Sequence, residues 1–172
     1  MDEPFAPYLG QTFGNYSLIK LLGTGGFSEV YLGTHAHLET RAAVKILRTR
    51  LNEGELERFR QEAQTIIGLG HPHLVRILDF GIRDGIPFLV MNYAPNGSLR
   101  DLYPAGSRLP LHIVVDLVKQ IASVLQYAHD HQIVHRDIKP DNLLLGENHE
   151  VLLSDFGIAV TAHNTYSMKT QE

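Results

Sequence analysis

The chain has 172 residues, 44% hydrophobic and 20% charged, which is ordinary for a globular chain with one or two small cores and argues against a disordered one. A formal net charge of −4 leaves no basic excess for nucleic acid or an anionic membrane surface, so any phosphate binding has to be local. Cysteine is absent, which removes disulfides, thiolate catalysis and thiolate metal sites.

Residues 1–15 read as an irregular leader; two acids and two prolines in the first seven positions, with no apolar run, rule out a secretory signal. Tyr16 to Leu22, Val30 to His35 and Arg41 to Leu47 are short apolar or β-branched runs separated by glycine and polar turns, and predict three consecutive strands. From Glu53 the period changes, because Leu56, Phe59, Ala63 and Ile66 recur at helical spacing; the helix should end near Gly68 to Gly70. Leu74 to Phe80 and Pro87 to Asn92 predict two further strands around the turn Arg83-Asp84-Gly85.

The stretch Ala94-Pro95-Asn96-Gly97-Ser98 is a break in composition and a lobe boundary. Beyond it, Ile113, Leu117, Ile121, Val124, Leu125 and Ala128 form a helical stripe over Leu111 to His131, interrupted by Asp116, Lys119 and Gln120, and too short and polar to span a bilayer. Leu143 to Leu145 and Val151 to Leu153 then predict a small hairpin around Gly146-Glu147-Asn148. The histidine pairs His71/His73 and His129/His131 lack a third ligand that would complete a metal site.

Three groups of residues carry chemistry. Gly23-Thr24-Gly25-Gly26-Phe27-Ser28-Glu29-Val30 places glycines between two strands, where a backbone without Cβ can approach phosphate oxygens, although such a cluster alone is more often just a hairpin turn. It is no dinucleotide fingerprint, since Val30-Tyr31-Leu32 continues as a strand where that motif opens a helix. Lys45 lies in the apolar strand Ala42-Ala43-Val44-Lys45-Ile46-Leu47 and needs an anion to offset its desolvation; Glu62, on the next helix, is the expected partner. His135-Arg136-Asp137-Ile138-Lys139-Pro140-Asp141-Asn142 is the densest signal, followed after the hairpin by Ser154-Asp155-Phe156-Gly157. Asp137 can accept a hydroxyl proton, Lys139 can neutralise a transferring phosphate, and Asn142 with Asp155 offers oxygen ligands of the hard kind that Mg²⁺ takes.

In this order and placement the pieces match the protein-kinase signature set, and the chain resembles a eukaryotic-like (Hanks-type) Ser/Thr protein kinase of the bacterial kind. The resemblance implies an α+β fold of protein-kinase type. A small antiparallel N-lobe sheet with one helix (16–93) would be followed by a hinge (94–98) and the beginning of a mainly helical C-lobe (99–172), a partial domain that stops within the activation segment.

It further implies that Leu22, Val30, Ala43 and Leu144 enclose an adenine ring, with Met91 at the back and the main chain of Asn92 and Ala94 along its edge. Gly23, Gly25 and Gly26 would cover the phosphates, and Lys45, paired with Glu62, would hold them; Asn142 and Asp155 would hold Mg²⁺ or Mn²⁺, and Asp137 with Lys139 would serve the transfer. Ser28 stands where the third glycine of the loop is usual, and Asn92 where glutamate is usual. Lys139, two places after Asp137, points to the Ser/Thr class, and Arg136 to a loop ordered by phosphorylation, with Thr161, Thr165, Ser167 and Thr170 as candidate positions.

The implied activity is ATP-dependent phosphoryl transfer to Ser or Thr of a protein substrate; the alternative is a truncated, catalytically weak or inactive ATP-binding fragment. No nucleic-acid partner is expected, no membrane segment is seen in the chain, and a cytoplasmic location is expected from the need for ATP.

Overall fold

The structure, a computed structural model, describes residues 6–156. The candidate phosphorylation positions Thr161, Thr165, Ser167 and Thr170, and Gly157 of the Asp-Phe-Gly sequence, lie outside the described residues. Strands β1 (Thr12–Phe13), β2 (Tyr16–Thr24), β3 (Ser28–His35) and β4 (Arg41–Leu47) precede helix α1 (Glu53–Ile67), after which come β5 (Ile77–Arg83) and β6 (Ile86–Asn92). These strands form one six-stranded sheet in the order β1-β2-β3-β4-β6-β5, antiparallel at every pairing. Helices α2 (Leu99–Leu102) and α3 (Leu111–Asp130), a 3₁₀ turn at Pro140–Asn142, and the hairpin of β7 (Leu143–Leu145) and β8 (Val151–Leu153) complete the described fold. Among the described residues no helix is long and apolar enough to cross a membrane.

The two-residue period of the strands gives the sheet two unlike faces. Ala42, Val44 and Ile46 of β4 point outward with Tyr31, Phe88 and Val90 into an outer core, whereas Ala43 and Leu47 point inward with Leu89 and Met91. The inner face is covered by α1, whose stripe of Phe59, Ala63 and Ile66 is buried against it. Asn52 starts that helix by accepting from Glu55 N, while the Glu55 carboxylate returns to Asn52 N at 2.7 Å, so two of the orphan donors at the helix start are satisfied reciprocally.

Three features differ from the sequence expectation. Part of the leader is ordered, because Thr12–Phe13 pairs with Ser17 and Tyr16 and extends the sheet by a strand. The strand expected from Leu74 begins only at Ile77: Val75 N donates to Leu153 O at 2.9 Å and Leu153 N to His73 O at 2.8 Å, so this stretch is spent on the hairpin below. Helix α2 was not foreseen; Ser98 caps it by accepting from Asp101 N, and Asp101 returns to Ser98 N.

The strap from Ala6 to Phe13 closes the outer core. Phe13 is 1% exposed, meets Tyr8 and Phe88 edge-on at 5.3 and 5.4 Å, and carries the Arg83 guanidinium 4.7 Å above its ring. Truncation by Phe13→Ala should therefore cost about 3–5 kcal/mol in urea unfolding. A transition midpoint equal to wild type would show that the strap is not part of the core.

Candidate active site

A cleft of about 350 Å³ opens beneath β2 and β3 and is walled by the inner face of the sheet. Leu22, Gly23, Val30 and Ala43 form its roof, Met91, Asn92 and Ala94 its back edge, and Leu144 of β7 its floor. Strand pairing sets this wall: Val30 lies opposite Lys45, and Ala43 opposite Met91. A register shift between Leu21 and Gly23 marks an irregularity in β2 just before the glycines and places half-exposed Leu22 at the rim. The backbone N–H of Asn92 is engaged with Arg76 O at 3.0 Å, which fixes the end of β6 at the cleft edge.

Deeper along the same face, Lys45 sits with Asp155 and Phe156 beside Ile66 and Ile77 of the inner core. Its ammonium forms a hydrogen-bonded ion pair with Asp155 Oδ1, a partner the sequence reading did not name; Glu62, the expected partner, stands half-buried on α1 next to Ala63. Asp155 has a left-handed backbone (φ 63°), a conformation that turns the chain sharply after β8. Phe156 is buried, and the His135 ring packs against it with centroids 4.6 Å apart.

His135 is the fixed point of the loop that carries Asp137. It is 1% exposed, its Nε2 lies 2.6 Å from Ser154 O, and its Nδ1 accepts from Asp137 N at 3.2 Å. Both contacts are satisfied together only by the neutral ring protonated on Nε2. Burial, the largest cause, holds its pKa below the usual 6.5 against the opposing pull of Ser154 O, Asp155 and Asp137. Between them, Arg136 adopts φ 69°.

Asp137 projects from this anchored backbone. Lys139 Nζ lies 2.8 Å from its Oδ2, and Asn142 Nδ2 donates to the same oxygen and to Asp137 O, each at 2.9 Å. The Lys139 hydrogen bond, followed by that from Asn142, holds the Asp137 carboxyl below the usual carboxylate range despite partial desolvation, and Lys139 is raised in return. Because these donors share Oδ2, Oδ1 is the oxygen of Asp137 available to a further donor. The amide nitrogen of Asn142 is likewise committed, so its oxygen is the atom a hard cation can take.

The structure thus brings Leu22, Gly23, Val30, Ala43, Met91, Asn92, Ala94 and Leu144 into one wall, with Lys45 and Asp155 at its inner end and Asp137, Lys139 and Asn142 gathered on the loop below. Gly25 and Gly26 stand at the tip of the turn, closed by Gly25 N donating to Ser28 O at 2.8 Å, outside that wall. Val75, Tyr93, Pro95, Gly97, Ser98, Asp101 and Ser154 also line the cleft and were missed by sequence reasoning. For Ser98 and Asp101 a signal existed in their three-residue spacing, which is that of a helix cap; for Val75 and Ser154 it is tertiary.

This fold and grouping define a protein kinase. The family described as the protein kinase domain matches residues 16–172, and the chain belongs to that family. It is 38% identical over 154 residues to the serine/threonine-protein kinase PrkC of Bacillus subtilis, covering 88% of this chain and 24% of that protein. To the serine/threonine-protein kinase PknF of Mycobacterium tuberculosis it is 37% identical over 160 residues, covering 87% of this chain and 33% of PknF. The crystal structure of the Mycobacterium tuberculosis PknI kinase domain superposes with a TM-score of 0.75 at 32% identity, covering 89% of this chain and 64% of that one. The chain therefore spans a quarter to a third of the length of these curated relatives.

A buried histidine with a lowered pKa makes the fold sensitive to acid. Below about pH 6.5 the unfolded chain takes up a proton that folded His135 refuses, so stability is lost as pH falls from there toward the folded pKa, and no such loss occurs above it. Urea unfolding measured from about pH 7.5 to pH 5 should show a steeper loss for wild type than for His135→Gln. Parallel curves would remove His135 as the source.

Proposed function

We propose that the chain binds ATP in this cleft and transfers its terminal phosphoryl group to a Ser or Thr hydroxyl of a protein substrate. The observation that carries the reading is a cleft lined by Ser154 and Asp155 in which Asp155 pairs with the buried cation Lys45, while Ser154 is hydrogen-bonded to Asn142 of the Asp137–Lys139–Asn142 cluster. Segment 94–98 serves as the hinge between residues 16–93 and residues 99–156 and beyond. Need for ATP puts the reaction in the cytoplasm.

The donor set fits a hard divalent cation. Asn142 is 7% exposed with its amide nitrogen directed at Asp137, and Asp155 contributes a carboxylate beside it. When bound there, Mg²⁺ or Mn²⁺ would neutralise phosphate charge. Lys45 contributes a second positive charge from the inner face of the sheet to the same phosphates. The roof of Leu22, Val30 and Ala43 and the floor of Leu144 exclude water from the base. Asp137 Oδ1 accepts the proton of the incoming hydroxyl, and Lys139, fixed on Oδ2, supplies charge to the group in transfer.

Incorporation of labelled phosphate from ATP-Mg²⁺ into a generic Ser/Thr protein should fall at least about a hundredfold in Asp137→Asn, the lower end for loss of a general base. Labelling that survives the substitution would refute this role. ATP-Mg²⁺ should also raise the melting temperature of wild type more than that of Lys45→Met. A nucleotide-dependent rise without labelling would replace turnover by nucleotide binding alone.

A further inference from the structure

Besides the helix-capping Glu55, a second buried carboxylate lies outside this chemistry. Glu29 is 4% exposed on β3, immediately after the glycine turn, and its side chain alternates with that of Val30 and so lies on the outer face of the sheet, away from the cleft. Its two oxygens are used separately. Tyr31, fully buried, donates its hydroxyl to Oε2 at 2.6 Å, whereas Arg48 reaches Oε1 through Nε at 3.1 Å and Nη2 at 2.9 Å. Burial, and then the acceptor Glu29, push the Tyr31 phenol up, so it remains a donor.

Arg48 has a second attachment, its backbone N–H donating to Phe27 O at 2.9 Å at the glycine turn. It follows β4 three residues after Lys45. One residue therefore holds the turn by its main chain and the base of the turn by its side chain, just beyond the strand that carries Lys45. At the other end, Tyr31 meets the ring of Tyr8 from the N-terminal strap at 6.2 Å.

We propose that Glu29, clamped by Arg48 and Tyr31, is a positioning residue that fixes the height of the glycine turn above the cleft relative to Lys45. The proposal rests on the reading of the cleft as a nucleotide site. A carboxylate buried behind the turn suits this purpose because charge-assisted bonds of fixed direction hold a strand end more rigidly than apolar packing, which tolerates sliding. A side chain at Gly23 or Gly26 would meet open space, so these two positions of the turn are not packed against a neighbour.

Amide hydrogen exchange and binding of a fluorescent ATP analogue, measured on wild type, Glu29→Gln, Arg48→Leu and the milder Tyr31→Phe, test this. Exchange over residues 24–28 should rise about tenfold or more in Glu29→Gln and Arg48→Leu, and less in Tyr31→Phe, in the range expected for losing a hydrogen bond to a charged group. Exchange over β7 and β8 should be unchanged, and the analogue should bind several-fold more weakly. Exchange at the turn equal to wild type in all variants would overturn the proposal. A uniform rise across β2, β3 and β4 in all three would overturn it too, by assigning the cluster to general stability. Failure of wild type to bind the analogue would defeat the nucleotide reading, while the exchange arm would still decide whether Glu29 holds the turn.

Discussion

An ammonium group on the inner face of a β-sheet has to be neutralised, and much of this architecture follows from that requirement. Lys45 shares the inner face of β4 with Ala43 and Leu47, among side chains that form a core, and its side chain is only 10% exposed. Desolvating a lone charge there would cost several kcal/mol. Asp155 supplies the counter-charge from the far side of the cleft, so one ion pair joins the sheet to the segment that follows β8. Removing Asp155 would take a counter-charge from a nearly buried ammonium, whereas Asp155, whose side chain is 33% exposed, would keep much of its hydration without Lys45.

The sheet has divided duties. Its outer face, closed by the strap and by the edge-on rings of Tyr8, Phe13 and Phe88, is a packing surface with one charged cluster at Glu29. The inner face is half packing and half chemistry: β4 meets α1 at one end and walls the cleft at the other. Below it, rigidity comes from polar groups. His135 is held at both ring nitrogens, Asn142 at its amide, and Ser154 Oγ donates to Asn142 O at 3.0 Å, so the loop bearing Asp137 is built on satisfied buried hydrogen bonds.

The sequence was most informative where periodicity and turn chemistry agreed. Strands β2, β3, β4 and β6, helices α1 and α3, and the small hairpin follow from alternation, helical stripes and glycine or asparagine turns. Two-residue β1 carries too little pattern to be visible; only an aromatic residue set before Gly14 and opposite Tyr16 marks it. Leu74 and Val75 look like strand residues and are hydrogen-bonded as such, but to β8, and no local pattern names the partner of a strand. The same limit explains Lys45. Its need for an anion was legible, whereas the choice of Asp155, 110 residues away, is a product of the folded chain.

The hydrogen bonds of residues 73–76 and 92–98 bear on how the cleft can change width. Each of the two connections between the sheet and the hairpin is stitched to the hairpin, His73 and Val75 to Leu153, and Asn96 and Gly97 to Leu145. They are also tied to each other, through Asn92 N and Arg76 O. Sliding the sheet over the hairpin would therefore have to break main-chain bonds at both connections, those to Leu153 and those to Leu145, while the bond between Asn92 and Arg76 keeps the two connections moving together.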